Sequence, residues 1–162
     1  MATTDIFDRL KADHDTHRTL LAEIVASGTA PQRRLDAFEE FTIEVKAHAA
    51  AEEQALYSTM MRKPETTSET RHSVAEHHEI EEALNDIAAT DSDSAEWMDK
   101  VKDLKHDYLH HIDEEEEEHF PDFSTYLTKA DEQHMREVFD RRKKAEAREA
   151  EVTPEAREEA KD

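Results

Sequence analysis

Two histidine–carboxylate pairs recur in this chain, His48 with Glu52 and His111 with Glu115. A spacing of four on a helix puts both side chains on one face, one turn apart. His48 follows Val45 by three residues, Phe41 by seven and Phe38 by ten. These offsets trace one helical stripe, so His48 and Glu52 point where the apolar residues point. His111 stands at the same offsets from Tyr108, Leu104 and Val101, whereas His110 has Asp107, Asp103 and Lys100 there and belongs to a water-facing stripe. Phase therefore selects one histidine of the pair, and selects Glu115 from the run Glu114–Glu118.

Two acidic–histidine dipeptides, Asp13-His14 and Glu76-His77, complete the set. Leu21 and Ile24 follow His14 by seven and ten, and Leu84 and Ile87 follow His77 by the same steps, so both histidines face inward. A buried, unpaired carboxylate costs several kcal/mol, and no inward-facing Lys or Arg is evident to compensate it. A cation solves that problem. Imidazole nitrogens with bridging carboxylates suit iron or manganese, and zinc is compatible. One such pair alone would be an ordinary hydrogen-bonded core histidine. Two copies in phase, joined by two more phased histidines, point to a metal site. His72, His78, His106, His110, His119 and His134 have no phased partner and are read as surface histidines.

Four helices must hold these residues. Thr3 or Thr4 can cap the first, whose apolar positions run from Ile6 to Val25 and which ends at Ser27-Gly28-Thr29. Pro31 suits the first turn of the second, which stops before Pro64. The third starts near Thr66–Ser68. Ser94, after a polar turn, can cap the fourth, which ends near Phe120-Pro121. The first two helices resemble the second two around the histidines, an internal repeat. Short connections imply an all-α, up-down-up-down antiparallel four-helix bundle over residues 1–130. A shorter fifth helix is expected from about Ala130–Asp131, as part of a charged helical extension and disordered tail over 131–162. Fourteen of the last 22 residues are charged, seven of each sign.

Composition agrees. One Gly and four Pro in 162 residues fall well below the roughly 11 and 8 of ordinary usage, which favours long helices. A formal charge of −21 argues against nucleic acid and anionic membranes as partners. With no cysteine, thiolate, iron–sulfur and heme–thiolate chemistry are excluded. No apolar run approaches the roughly 20 residues of a spanning helix, and the first residues lack a secretory pattern, so a cytoplasmic protein is expected.

The segments LKADHDTHRTLL (10–21), HAAAEEQALY (48–57), EHHEIEEAL (76–84) and HHIDEEEEEHFP (110–121) resemble those of hemerythrin-like, HHE cation-binding proteins. The resemblance spans residues 6 to about 127. It implies a non-heme di-iron centre in which Glu52 and Glu115 bridge the metals, His14 and His48 bind one iron, and His77 and His111 the other. Oxygen-carrying members have a fifth histidine one turn before the third-helix histidine; here that position is Ser73, which argues against reversible oxygen carriage. Glu81, His72 or water are the substitutes. His17 stands where the family is usually apolar, as an extra ligand or a hydrogen-bond donor to one. Ser58 replaces the usual proline after helix two's aromatic. Glu53 and Glu116, beside the bridges, are candidates to orient histidines. The expected function is a di-iron protein that binds or reacts with O2, H2O2 or NO, with turnover left open and Tyr57 or Tyr108 the nearest residues to a general acid. The alternatives are a non-enzymatic iron or oxygen sensor or iron store, and a metal-free acidic helical interaction protein.

Overall fold

The structure, a computed structural model, describes residues 5–28 and 31–150. Five helices account for it. Helix α1 is Ile6–Ala26, and α3 is Thr67–Ala88. Helix α2 runs over 31–60 as Pro31–Glu52, a π-turn Glu53–Tyr57, and Ser58–Met60. Helix α4 runs over 95–124 as Ala95–Glu114, a second π-turn Glu115–His119, and Phe120–Ser124. Helix α5 is Lys129–Ala150. Thr3 and Thr4 lie outside the described residues; the cap of α1 is Asp5, whose carboxylate accepts from Asp8 N. Ser94 caps α4 by accepting from Trp97 N. Gly28, at φ 56°, turns the chain out of α1, a conformation that costs a residue without Cβ little. No described helix is long and apolar enough to cross a membrane.

Apolar residues form two clusters with a polar layer between them. One holds Leu20, Leu21 and Ile24 of α1 with Phe38, Phe41 and Val45 of α2, Leu84 and Ile87 of α3, and Trp97, Val101 and Leu104 of α4. The other holds Ile6 and Leu10 of α1, Leu56 and Met60 of α2, and Phe120 and Phe123 of α4. Along α1 the chain passes from the second cluster to the first; along α2 it returns, and α4 runs as α2 does. That alternation is the up-down-up-down topology. On each helix the inward histidines fall where the chain crosses from one cluster to the other.

Two expectations need correction. Helix α4 does not end at Phe120-Pro121 but continues to Ser124, because Pro121 lies in the first turn after the π-turn, where proline is tolerated. The fifth helix is not short: it spans 22 residues. Its Met135 and Phe139 are buried in the second cluster, and the Arg9 guanidinium lies over the Phe139 ring. Beyond them its basic residues tie it to the bundle. Lys143 Nζ lies 2.8 Å from Asp13 Oδ1 and 3.0 Å from Glu44 Oε2, and Arg142 donates to Gln54 Oε1 at 2.7 Å. The expected disordered tail beyond Ala150 lies outside the described residues.

Candidate metal centre

Each of α1–α4 carries an inward histidine of the expected set into the polar layer: His14, His48, His77 and His111. His14, His48 and Glu52 come together there, as do His77, His111 and Glu115, with one potential ligand atom per residue inside 4.8 Å of the others. The two groups share their carboxylates. Glu115 Oε1 is 2.8 Å from His111 Nε2 and 3.8 Å from His77 Nε2, and Glu115 Oε2 is 3.3 Å from His14 Nε2. Glu52 Oε1 is 3.0 Å from His77 Nε2, and Glu52 Oε2 is 3.9 Å from His48 Nε2. Each carboxylate therefore faces histidines of both groups, as a bridge between two adjacent cations must.

A second set of carboxylates orients the rings. Asp13 Oδ2 accepts from His48 Nδ1 at 2.8 Å, and Glu76 Oε1 accepts from His111 Nδ1 at 3.2 Å. The acidic residue before each histidine of α1 and α3 thus holds the histidine of the following helix. Glu116 Oε1 is 3.8 Å from His14 Nδ1, and Glu53 Oε1 is 3.6 Å from His77 Nδ1. The hydrogen bonds at Nδ1 of His48 and His111 turn their Nε2 atoms toward the shared carboxylates.

Among the buried atoms without a hydrogen-bond partner are His14 Nε2, His48 Nε2, both oxygens of Glu52, and Glu115 Oε2. Leaving such atoms unsatisfied costs about 1–3 kcal/mol each, yet here they converge on one volume. A pair of divalent cations would satisfy them, so the residues fit a dinuclear site. Lys143 gives no relief, since it pairs with Asp13 and Glu44. Without metal, protons do the balancing. Burial opposes charge on His14, but Glu115 and Glu116 win and hold it up at about 9; burial likewise opposes His111, which Glu115 and Glu76 hold up at about 9. Burial and the neighbouring Glu115 push Glu52 up. Burial also opposes ionisation of Glu115, but His111, His14 and His77 hold it well below the usual carboxylate range.

Residues 5–123 match the hemerythrin HHE cation-binding domain. The chain belongs to that family. It is also 29% identical over 112 residues to a DNA nickase of Nostoc sp. (strain PCC 7120 / SAG 25.82 / UTEX 2576), across 69% of this chain and 31% of that protein. The chain thus spans about a third of that relative's length. No solved structure matches it. As an HHE domain it binds metal cations, and the two histidine–glutamate groups could hold them.

Ser73 is buried, and its Oγ lies 3.0 Å from His119 Nδ1. His119 is accordingly not the expected surface residue but 4% exposed. The spacing is the reason: His119 stands four residues after Glu115, as Glu115 stands four after His111, and so continues the inner stripe. His72, His78, His106, His110 and His134 are exposed. Glu81 is exposed too and falls in none of the potential ligand groups among the described residues. His17 is buried beside the first group: its Nδ1 shares a 2.6 Å hydrogen bond with Tyr108 OH, and its Nε2 has no hydrogen-bond partner. Tyr57 OH donates to Glu115 Oε1 at 2.7 Å. Burial and the nearby carboxylates push both tyrosines well above their usual range, so they act as donors rather than phenolates.

A cleft of about 560 Å³ runs between α2 and α3 to this layer. Ala49, Ala50 and Ala75 leave it open, Val45 and Ile80 line it, and His77 and His111 stand at its inner end, with Arg142 and Glu146 of α5 on its wall.

Proposed function

We propose that this HHE protein is a non-heme di-iron protein that binds or reacts with a small oxidant: O2, hydrogen peroxide or nitric oxide. In this reading His14 and His48 would hold one iron and His77 and His111 the other, with Glu52 and Glu115 shared between the two groups. One observation carries it: two buried histidine groups share both carboxylates at the closed end of a cleft wide enough for a diatomic molecule or a peroxide. Iron, when bound, supplies the one-electron redox chemistry that no side chain of this chain offers. Manganese or zinc would suit the same donors, but zinc would leave the site redox-silent.

The protein's own part is positional. Asp13 and Glu76 set the rings of His48 and His111. Tyr57 holds Glu115 and keeps a phenolic proton within the site. The cleft, lined by apolar and charged side chains together, gives a small molecule a way to the histidines. His17 is the candidate extra ligand on the His14–His48 side, since Tyr108 occupies one ring nitrogen and leaves the other buried and unsatisfied. Glu81, exposed on the cleft wall, is the weaker candidate. A cytoplasmic setting without nucleic-acid or membrane partners belongs to the same reading, supported by the charge of −21. The nicking activity named for the Nostoc relative is not carried over to a chain covering 31% of it.

Ser73 supplies no nitrogen ligand at the position one turn before His77. The chemically reduced, iron-loaded protein should therefore lose its ferrous state irreversibly on exposure to air or peroxide. Optical spectra recorded through repeated cycles of oxygenation and deoxygenation test this. A spectrum that returns unchanged in each cycle would instead make the protein a reversible carrier.

A further inference from the structure

A second cluster of ligating side chains lies outside the bridged pair, where α3 and α4 meet at the surface. A separate cleft of about 460 Å³ is lined there by His72, Glu114, Glu118 and His119, with Glu69 and Asp122 at its edge. No Lys or Arg lines it among the described residues. Glu114, Glu118 and His119 each present a potential ligand atom within 4.8 Å of the others, and Glu114 forms a second such group with His72 and Glu76.

Acidic surface residues alone would mean little, but His119 is not a surface residue. Its imidazole is 4% exposed. Ser73 takes its Nδ1 at 3.0 Å, which turns Nε2 toward this cleft. There it meets Glu114 Oε1 at 3.5 Å, beyond a good N–H···O hydrogen bond. An imidazole buried, oriented from behind by a hydroxyl, and left with a poorly satisfied nitrogen facing a carboxylate cleft is built as a metal ligand is built. The exposed His72 brings a second imidazole: its Nε2 is 3.4 Å from Glu114 Oε1 and 3.1 Å from Glu76 Oε1.

We propose that His72, Glu114, Glu118 and His119 form a separate surface site for a divalent transition-metal cation. Two imidazoles with two carboxylates and an open face for water suit zinc or ferrous iron, and the imidazoles disfavour magnesium and calcium. The site shares no residue with the bridged pair, but Glu76 stands between them, since the oxygen that faces His72 also holds His111 Nδ1.

Calorimetric titration of Zn2+ into the iron-loaded protein, with iron measured on the same sample before and after, tests this. One further zinc ion per chain should bind with no release of iron. His72→Ala combined with Glu118→Gln, both at exposed positions, should weaken that zinc at least tenfold and leave the iron content unchanged. His106→Ala, an exposed histidine outside the cluster, should change nothing. Excess Mg2+ should not compete. Failure of the wild type to take up the extra zinc, or zinc binding that the double variant leaves intact, would overturn the proposal. Iron content stands as its own readout, so loss of the dinuclear reading would be seen separately.

Discussion

Helices α1–α2 and α3–α4 supply the same set of groups, but they embed them differently. In the first half His48 is held by Asp13, and Asp13 is itself held by Arg9 at 2.6 Å and Lys143 at 2.8 Å. In the second half Glu76 holds His111, but its other contact is the exposed His72. The halves also diverge five residues after each shared carboxylate. Tyr57, five after Glu52, donates to Glu115, while Phe120, five after Glu115, donates to nothing and stacks on His14 at 6.0 Å. Glu115 is therefore hydrogen-bonded by Tyr57, while the histidines hold it ionised, and Glu52 has neither oxygen satisfied by a hydrogen bond. A repeat gave both halves the ligands; the difference lies in what stands behind them. The first half is backed by α5 through Asp13, whereas in the second Glu76 meets the exposed His72. The cleft borders histidines of both halves, His14 and His48 as well as His77 and His111.

The largest effects should come from the ligands. His48→Ala and His111→Ala should each lower metal affinity at least tenfold, read as metal retained after a chelator wash. His110→Ala, one residue from His111 and on the exposed stripe, should retain metal as the wild type does. Metal loss from the His110 variant alone would show the register of α4 to be wrong by one residue.

Next come the orienting carboxylates, whose loss in metalloproteins typically costs about 10–100-fold in affinity. Asp13→Asn should sit at the upper end, because it also removes one of the two carboxylates that each of Lys143 and Arg9 meets. Glu76→Gln should sit at the lower end. An equal effect of the two substitutions, measured by competition with a chelator of known affinity, would erase the distinction between the halves.

Much of this centre could be read from sequence, for a physical reason. Phase within a single helix sorts inward from outward residues, so Val45, His48 and Glu52, and Tyr108, His111 and Glu115, were accessible from spacing. What spacing on one helix cannot carry is a contact between helices. Asp13 and Glu76 showed as matched acidic residues, but the histidines they hold are on the next helix. His119 was legible by the same rule, four residues after Glu115, but its place in a run of charged residues near the end of the helix masked it. The length of α5 escaped because its apolar stripe ends at Phe139. Beyond it the helix is kept by ion pairs such as Arg142–Glu146 and by Lys143 reaching Asp13, and a charged sequence does not reveal which of its charges find partners.

The metal-free protein should show an unusual pH dependence in both halves. His14 and His111, near 9 in the folded chain, stand above the ordinary value of about 6.5. The folded state binds these protons more tightly, so their stabilisation is complete below about 6.5 and is lost as pH rises through 9. The apo melting temperature should fall over that window. With metal bound the imidazoles are deprotonated ligands, and the fall should disappear. An apo melting curve that is flat between those limits would contradict the proton-balanced picture of the empty site.

The smallest effect concerns the tyrosine that breaks the repeat. Tyr57→Phe removes one buried donor to a charged acceptor and should destabilise the metal-free protein by about 1.5–3 kcal/mol, measured by urea unfolding. Phe120→Leu, at the matched position, should leave the ionisation of Glu115 unaltered and act only through packing.

The central claim is that each half of the bundle holds one metal ion across two shared carboxylates. Iron content should be measured with the near-ultraviolet spectrum on the same aerobic sample, after iron loading and a chelator wash that strips weakly held surface ions. Close to two irons per chain, with the absorption of carboxylate-bridged ferric iron, is the expected result. One iron or fewer per chain would contradict the account.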